Sequence, residues 1–402
     1  MQRFLAICGR QPELSAAELV AVASLRGFTC TPYTRSTVLL EGLRDPVELM
    51  SVLGGTVKIA ELVSVMGVED LQAPRVVSTC MGAMTAAGKA VFGFTVTDAK
   101  PKVRRAAQDL AVRIKQELQK SGRSARYVRD PRGELSSVVV EKQILAHGGA
   151  EFILAQSGAE LTLARTVVVQ PFEKFSGRDY GRPGRNARAG MLPPKLARIM
   201  VHLSRVASSE ALLDPFCGSG TILQEAALLG IRNLVGSDSS ERAAEETQQN
   251  LAWMAQTAGV HSAARVLVSG VRRLARQLDT PVHAVVTEPF LGPPLAGNES
   301  LEKIRTIQRQ LQKLYEDAFD VFLDVLASGG RVVFIQPVFY HKGERLFLMD
   351  LDVLLLKGFR IVQPLPSTFV PMYKKDLTFR HTLLYHRPAQ RLGREILILE
   401  KK

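Results

Sequence analysis

A chain of 402 residues with 46% hydrophobic and 23% charged side chains can bury sizeable cores, which excludes a disordered or fibrous protein. At about 150 residues per domain, it has room for two to three domains. An excess of 52 Lys and Arg over 39 Asp and Glu leaves a net charge of +13, which favours a polyanionic partner without establishing one.

Residues 4–8 read as a short buried strand, and Ser15-Ala-Ala-Glu18 has the form of a capping box that opens a helix to Arg26, stopped by Gly27. Strands are expected at 38–41, 58–65 and 92–97. Val103, Ala106, Leu110, Ile114 and Leu118 then form the apolar stripe of an amphipathic helix over 102–121, with Gly122 at its stop. Residues 137–146 read either way: Val138-Val-Val140 favours a strand, while the length and Gly148-Gly149 favour a helix. Strands at 151–155 and 161–169 complete an α+β region.

Positive charge is concentrated in two stretches. From Lys100 to Arg132, eleven bases face three acids, and from Arg165 to Arg205, nine face two, so the remainder of the chain is close to neutral. Clustered Lys and Arg neutralise phosphates, the sequence-independent part of nucleic-acid affinity. The RNA-contact candidates are Lys102, Arg104, Arg105, Arg123, Arg126, Arg129, Arg178 and Arg182. Residues 172–190 are dominated by Gly, Arg and Pro and read as a basic linker over 170–190.

A helix starts at Pro193-Pro194 and runs toward Val206. After it, strands at 211–216, 233–238, 264–269, 284–288, 331–336, 359–364 and 382–386 alternate with helices at 221–229, 240–258, 271–277, 301–326 and 344–357. Seven strands in this alternation predict a doubly wound, mostly parallel α/β sheet, with the last two strands as an antiparallel hairpin.

Ligands of such sheets bind beyond the carboxyl ends of the strands. There the first strand runs into Asp214-Pro-Phe-Cys-Gly-Ser-Gly-Thr221. A dinucleotide fingerprint needs a third glycine where Leu223 stands, and a phosphate loop needs a lysine that is absent. S-adenosylmethionine remains. Its binding residues would be Asp214 toward the methionine ammonium, Pro215, Phe216, Gly218, Ser219, Gly220 and Thr221 along the cofactor, and Asp238 with Ser239 at the ribose hydroxyls.

The stretch Leu213 to Ala227 resembles the first motif of the class I methyltransferases that carry an N-terminal THUMP domain and modify tRNA. Gly9-Arg-Gln-Pro-Glu-Leu-Ser15, Leu135-Ser-Ser-Val-Val-Val-Glu-Lys142, Arg178-Asp-Tyr-Gly-Arg-Pro183 and Met191-Leu-Pro-Pro-Lys-Leu-Ala-Arg-Ile-Met200 are also similar to members of that group. The best match is the branch that makes N2-methylguanosine at tRNA position 10. The resemblance implies a ferredoxin-like region over 1–70, a THUMP-like RNA-binding domain over 71–169 and a Rossmann-like methyltransferase domain over 191–402. It further implies a tRNA substrate, gripped by its 3′ end.

At the end of the fourth strand, the resembled family places Asp- or Asn-Pro-Pro-Tyr or Phe, where this chain has Glu288, Pro289, Phe290 and Leu291. An exocyclic amine is a poor nucleophile because its lone pair is delocalised into the ring. Acceptors aimed at its hydrogens favour a pyramidal nitrogen, and an aromatic ring holds the flipped base by stacking. Glu288, Pro289 and Phe290 are therefore the catalytic candidates. Ser269 and Gly270 stand where the family commonly has an Asp that binds adenine.

Cys217 within the glycine loop reads as loop packing, and the isolated His341, His381 and His386 lack metal-ligand spacing, so no metal is expected. Cysteines at 8, 30, 80 and 217 suggest no disulfide framework. No apolar run reaches the ~18 residues of a membrane span, and the N-terminus reaches Gly9-Arg10 too soon for a signal-peptide core. A cytoplasmic protein without membrane association is expected. Guanine N2 of tRNA leads; adenine N6 or another RNA, and a non-catalytic RNA-binding protein with a decayed site, are the alternatives.

Overall fold

The strands of the first half of the chain all join one sheet. The computed structural model describes residues 2–402 except 85–87, 132, 186–190, 261 and 388–389, so Arg132 and Arg188 of the basic stretches lie outside the described residues. The chain divides into two units, Met1–Glu173 with Ser367–Met372, and Lys174–Pro366 with Tyr373–Lys402.

In the first unit, β1 (Arg3–Cys8), β2 (Thr29–Thr34), β3 (Thr37–Glu41), β4 (Thr56–Gly67), β5 (Ala90–Thr97), β6 (Ala125–Val128), β7 (Ala150–Ser157) and β8 (Glu160–Val169) lie in the order β2-β3-β1-β4-β8-β7-β5-β6. Residues 1–70 and 71–169 share this sheet, because β4 pairs with β8 from Lys58↔Val169 to Gly67↔Glu160. The helix Pro101–Lys120 buries Val103, Ala107, Leu110, Ala111, Ile114 and Leu118, close to the stripe expected from its spacing. Val140 and Ile144, one helical turn apart, are buried in the helical segment that spans the ambiguous region, so packing overrides the strand propensity of the valines.

The first helix differs from its expected start. It begins at Pro12, and Ser15 and Glu18 are buried inside it rather than capping it. Ser15 Oγ accepts from Gly9 N (3.1 Å) and donates to Gly55 O (2.8 Å), while the Glu18 carboxylate accepts from Gly54 N (2.8 Å) and Gly55 N (2.7 Å). The polar pair that resembled a cap instead satisfies backbone groups of the turn before β4.

The second unit holds β9 (Ala211–Asp214), β10 (Asn233–Asp238), β11 (Arg265–Val268), β12 (Val282–Thr287), β13 (Leu326–His341), β14 (Glu344–Phe347), β15 (Phe359–Ile361), β16 (Leu383–Tyr385) and β17 (Leu392–Lys401). The order is β11-β10-β9-β12-β13-β17-β15, with β14 on β13 and β16 on β17. The strands from β11 to β13 are parallel, the core of a doubly wound α/β sheet.

Three expectations change here. The sheet has nine described strands rather than seven. Residues 344–357 are β14 followed by the helix Leu351–Lys357, not one helix. The final hairpin is absent: β15 and β16 each pair antiparallel with β17, which runs between β13 and β15. Tyr315, Phe319, Phe322, Phe334 and Phe359 pack in edge-to-face and tilted ring pairs in the core on which this sheet rests.

The expected linker is partly helical. Phe172–Tyr180 is a helix whose Phe175 ring is covered by the cations of Arg178, Lys195 and Arg198 at 4.5–5.3 Å. No helix of the described residues is long and apolar enough to cross a membrane.

Candidate active site

β9 ends at Asp214, and the following loop turns into the helix Thr221–Leu228 at Gly220. Gly218 (φ +53°) and Gly220 (φ +78°) adopt the left-handed conformation, unfavourable for other residues. A Cβ on Gly220 would lie 2.8 Å from the Thr247 side chain. The helix Glu241–Ala258 holds this loop from behind: Thr247 Oγ1 donates to Gly218 O (2.7 Å), and Asn250 Nδ2 donates to Ser219 O (2.8 Å). Asn250 also closes a pair of hydrogen bonds with the Gly184 backbone.

The register Asp214↔Gly236 sets β9 and β10 side by side, so both acids stand at the carboxyl edge of the sheet. Asp238 Oδ2 accepts from Gly218 N (3.1 Å) and Oδ1 from Ser240 N (2.9 Å), which leaves lone pairs on both oxygens for further donors. Ser239 is exposed beside it. Asp214 is buried, and burial pushes its carboxyl up to about 7, against the opposing pull of hydrogen bonds from Thr287 Oγ1 (2.7 Å) and Phe216 N (3.3 Å). Burial also raises the Cys217 thiol, so it stays protonated; this suits packing rather than nucleophilic chemistry.

Ser269 lies at this edge through its backbone. Its N–H donates to Asp238 O (2.8 Å), its carbonyl accepts from Ser237 Oγ (2.7 Å), and its hydroxyl is turned to Gly270 O. Val268, opposite Asp238 in register and 54% exposed, gives the edge an apolar surface that sequence reasoning did not single out.

Thr287 links the glycine loop to the fourth strand. The next residue, Glu288, is largely buried, and burial raises its carboxyl pKa, opposed by the Arg394 guanidinium. Arg394 Nε donates to Glu288 Oε1 at 2.5 Å from β17. Pro289 is buried, whereas Phe290 is 59% exposed. The Phe290 carbonyl accepts from Tyr315 OH (2.8 Å) on the helix Leu301–Val325. The side chain of a stacking candidate is thus free while its backbone is anchored.

Residues 182–338 match the UPF0020 family of RMKL-like methyltransferase domains. This part of the chain is similar to a methyltransferase domain. The chain is also similar to the tRNA (guanine(10)-N2)-dimethyltransferase of Methanothermobacter thermautotrophicus, 37% identical over 200 residues, or 50% of this chain and 51% of that protein. A protein of the same name from Methanocaldococcus jannaschii is 33% identical over 162 residues, 38% of this chain and 44% of that one. The chain spans about half the length of these curated relatives. The crystal structure of TrmN from Thermus thermophilus covers 100% of both chains at 18% identity with a TM-score of 0.56, a likeness of fold.

Within residues 182–338, the fold brings Asp214, Pro215, Phe216, Gly218, Ser219, Gly220, Thr221, Asp238 and Glu288 to one carboxyl-end rim. Sequence reasoning missed Thr247, Asn250, Thr287 and Arg394, whose roles depend on which helices and strands become neighbours. Arg182 and Arg178 depart from the surface role expected of them. Arg182 is buried and donates to Thr221 Oγ1 (2.6 Å), and Arg178 pairs with the buried Glu225 (2.5 Å), which also pairs with Arg198. Both guanidiniums hold the approach segment onto the helix after the glycine loop instead of facing solvent.

In the first unit, Lys102, Arg104, Arg105, Arg126 and Arg129 are exposed. Arg123 instead donates to Gly88 O (2.9 Å) and Met84 O (2.6 Å). No group of three or more potential metal ligands occurs among the described residues.

Proposed function

We propose that the protein transfers a methyl group from S-adenosylmethionine to an exocyclic amine of RNA, guanine N2 of tRNA at position 10. One observation carries the reading: the Asp214–Thr287 hydrogen bond ties the start of the glycine loop to the end of the strand that leads into Glu288, Pro289 and Phe290. A cofactor cradle and an amine-holding motif thereby share one rim.

The residues present fit the cofactor. A cationic ammonium would relieve the buried Asp214 carboxyl, and the left-handed glycines leave the loop backbone open to close approach. Asp238 has capacity for the ribose hydroxyls. The buried Arg182 Nε has no hydrogen-bond partner among the described residues, a donor suited to a carboxylate near Thr221. When bound, S-adenosylmethionine supplies an electrophilic methyl group on a sulfonium.

The chain's own residues would do the rest. Phe290 stacks on the unpaired base. Glu288 would accept a hydrogen bond from the amine, which directs the nitrogen lone pair toward the methyl group and stabilises the positive charge that develops on nitrogen. Arg394 opposes the rise that burial imposes on the Glu288 carboxyl and so favours its anionic form.

The names of the relatives support guanine N2 over adenine N6. We assign the exposed bases of the helix Pro101–Lys120 and its flank to RNA binding, residues 1–70 to a ferredoxin-like region, 71–169 to a THUMP-like region, and the protein to the cytoplasm. Incubation with S-adenosylmethionine labelled in its methyl group and unmodified tRNA transcript should put label into tRNA. Failure to label any RNA, with cofactor binding intact, would overturn the reading in favour of a binding protein.

A further inference from the structure

Beyond the target base, the same rim carries a second aromatic feature that neither the cofactor nor the amine motif uses. Phe379 is 74% exposed, a large apolar surface left in water. Its ring meets Phe347 edge to face, with centroids 5.0 Å apart and planes at 84°. The Arg380 guanidinium lies 4.9 Å from the Phe347 centroid and 5.1 Å from that of Phe379. Arg380 is itself fixed: Nη1 donates to Met349 O (2.6 Å), and the group lies 3.7 Å from the buried Glu395. Phe379 is therefore exposed and yet held in place.

Strand register locates this cluster. One edge of β13 is occupied by β17 from Arg331 to Phe339. The other edge pairs with β12 as far as Thr287↔Phe334, and then with β14 from Val338↔Phe347 onward. Phe347 thus lies on the edge of β13 that β12 occupies, opposite a residue four positions beyond the partner of Thr287. The helix Leu301–Val325 binds both neighbours, through Gln308 Nε2 to Phe347 O (3.2 Å) and Tyr315 OH to Phe290 O. Two exposed rings, Phe290 and Phe379, are thus tied to the same helix, the second through Phe347. Exposed Lys374 and Lys375 precede Phe379 in the same loop and supply charge complementary to a phosphate backbone.

We propose that Phe379, braced by Arg380 and Phe347, is a stacking platform for an unpaired nucleobase that neighbours the target nucleotide. A flipped target leaves adjacent bases without one stacking partner, and an aromatic face with flanking cations is the chemistry that receives such a base without reading its identity. Phe290 and Phe379 would then divide the work, one holding the reacting base and the other its neighbour. This inference rests on the RNA-methyltransferase reading for its target, while the platform can be tested by RNA binding alone.

The test uses the full chain with Phe379→Ala, Phe379→Leu and Phe379→Tyr, measuring tRNA affinity by filter binding, S-adenosylmethionine affinity by calorimetry, and single-turnover methyl transfer. Because the ring is at the surface, all three variants should fold. Loss of the ring should weaken tRNA binding roughly tenfold in both Ala and Leu, with Tyr within about twofold of wild type and cofactor affinity unchanged. Wild-type tRNA affinity in Phe379→Ala would overturn the platform. So would full affinity in Phe379→Leu alongside weak binding in Phe379→Ala, the signature of a plain apolar contact. A wild-type protein that binds tRNA with this pattern yet transfers no methyl would refute the catalytic reading and leave the platform standing. No wild-type affinity for RNA would refute the platform.

Discussion

Glu288 carries the heaviest chemical assignment of any single residue. If it accepts from the target amine, Glu288→Ala should lower single-turnover methyl transfer by about 10²–10³, the usual effect of losing one preorganised polar group. Cofactor affinity should stay nearly intact, because the interaction strengthens only as charge develops on nitrogen. Glu288→Asp should be milder, restoring the shorter acid usual in the resembled family. Activity that survives Glu288→Ala would sink the assignment. Glu288 was legible in the sequence because it follows a strand and precedes Pro289 and Phe290. Its partner Arg394 was not, since 106 residues separate them and only the insertion of β17 beside β13 brings them together. The same limit hid the burial of Arg178 and Arg182: composition counts charges but does not say which become tethers between helices.

At the scale of elements, periodicity was informative wherever one face meets the core. The helix Pro101–Lys120 was legible from its apolar stripe, and the alternation of strands and helices after residue 210 gave the parallel part of the second sheet. β17 escaped because it lies in the interior of the sheet: Ile396, Leu397, Ile398 and Leu399 are all buried, a run without the alternation of a half-exposed strand. The capping-box form of Ser15 and Glu18 misled for a physical reason, since the same side chains can satisfy backbone groups of another turn. The exposed side of the Pro101–Lys120 helix makes its own forecast. Charge reversal in the full chain, with Lys102→Glu and Arg105→Glu together, should weaken tRNA binding across unrelated tRNA sequences. It should also reduce the slope of log affinity against log salt by about one for each phosphate that is no longer neutralised. An unchanged slope would make this face a solubilising surface.

For the molecule as a whole, the protein carries a buried acid, Asp214, that burial holds at about 7, well above its ordinary value of 3.8. Between these limits, folded Asp214 keeps a proton that the unfolded chain releases, so this group makes folding stability fall as pH rises from about 4 to about 7, and adds no further slope above. A cationic cofactor group beside Asp214 would favour the ionised form. The rise in Tm caused by S-adenosylmethionine should therefore be larger at pH 8 than at pH 6, and Asp214→Asn should remove that difference. A cofactor-induced shift that is flat across this range in wild type would place the ammonium elsewhere.

The central claim is that Glu288, Phe290 and the Asp214–Asp238 rim serve methylation of guanine N2 in tRNA. Mass spectrometry of tRNA nucleosides from cells with and without the gene addresses it most directly. N2-methylated guanosine at tRNA position 10 should disappear in the deletion and return with the wild-type gene but not with Glu288→Ala. An unchanged level of N2-methylguanosine there, or the disappearance of a methylated adenosine instead, would contradict it.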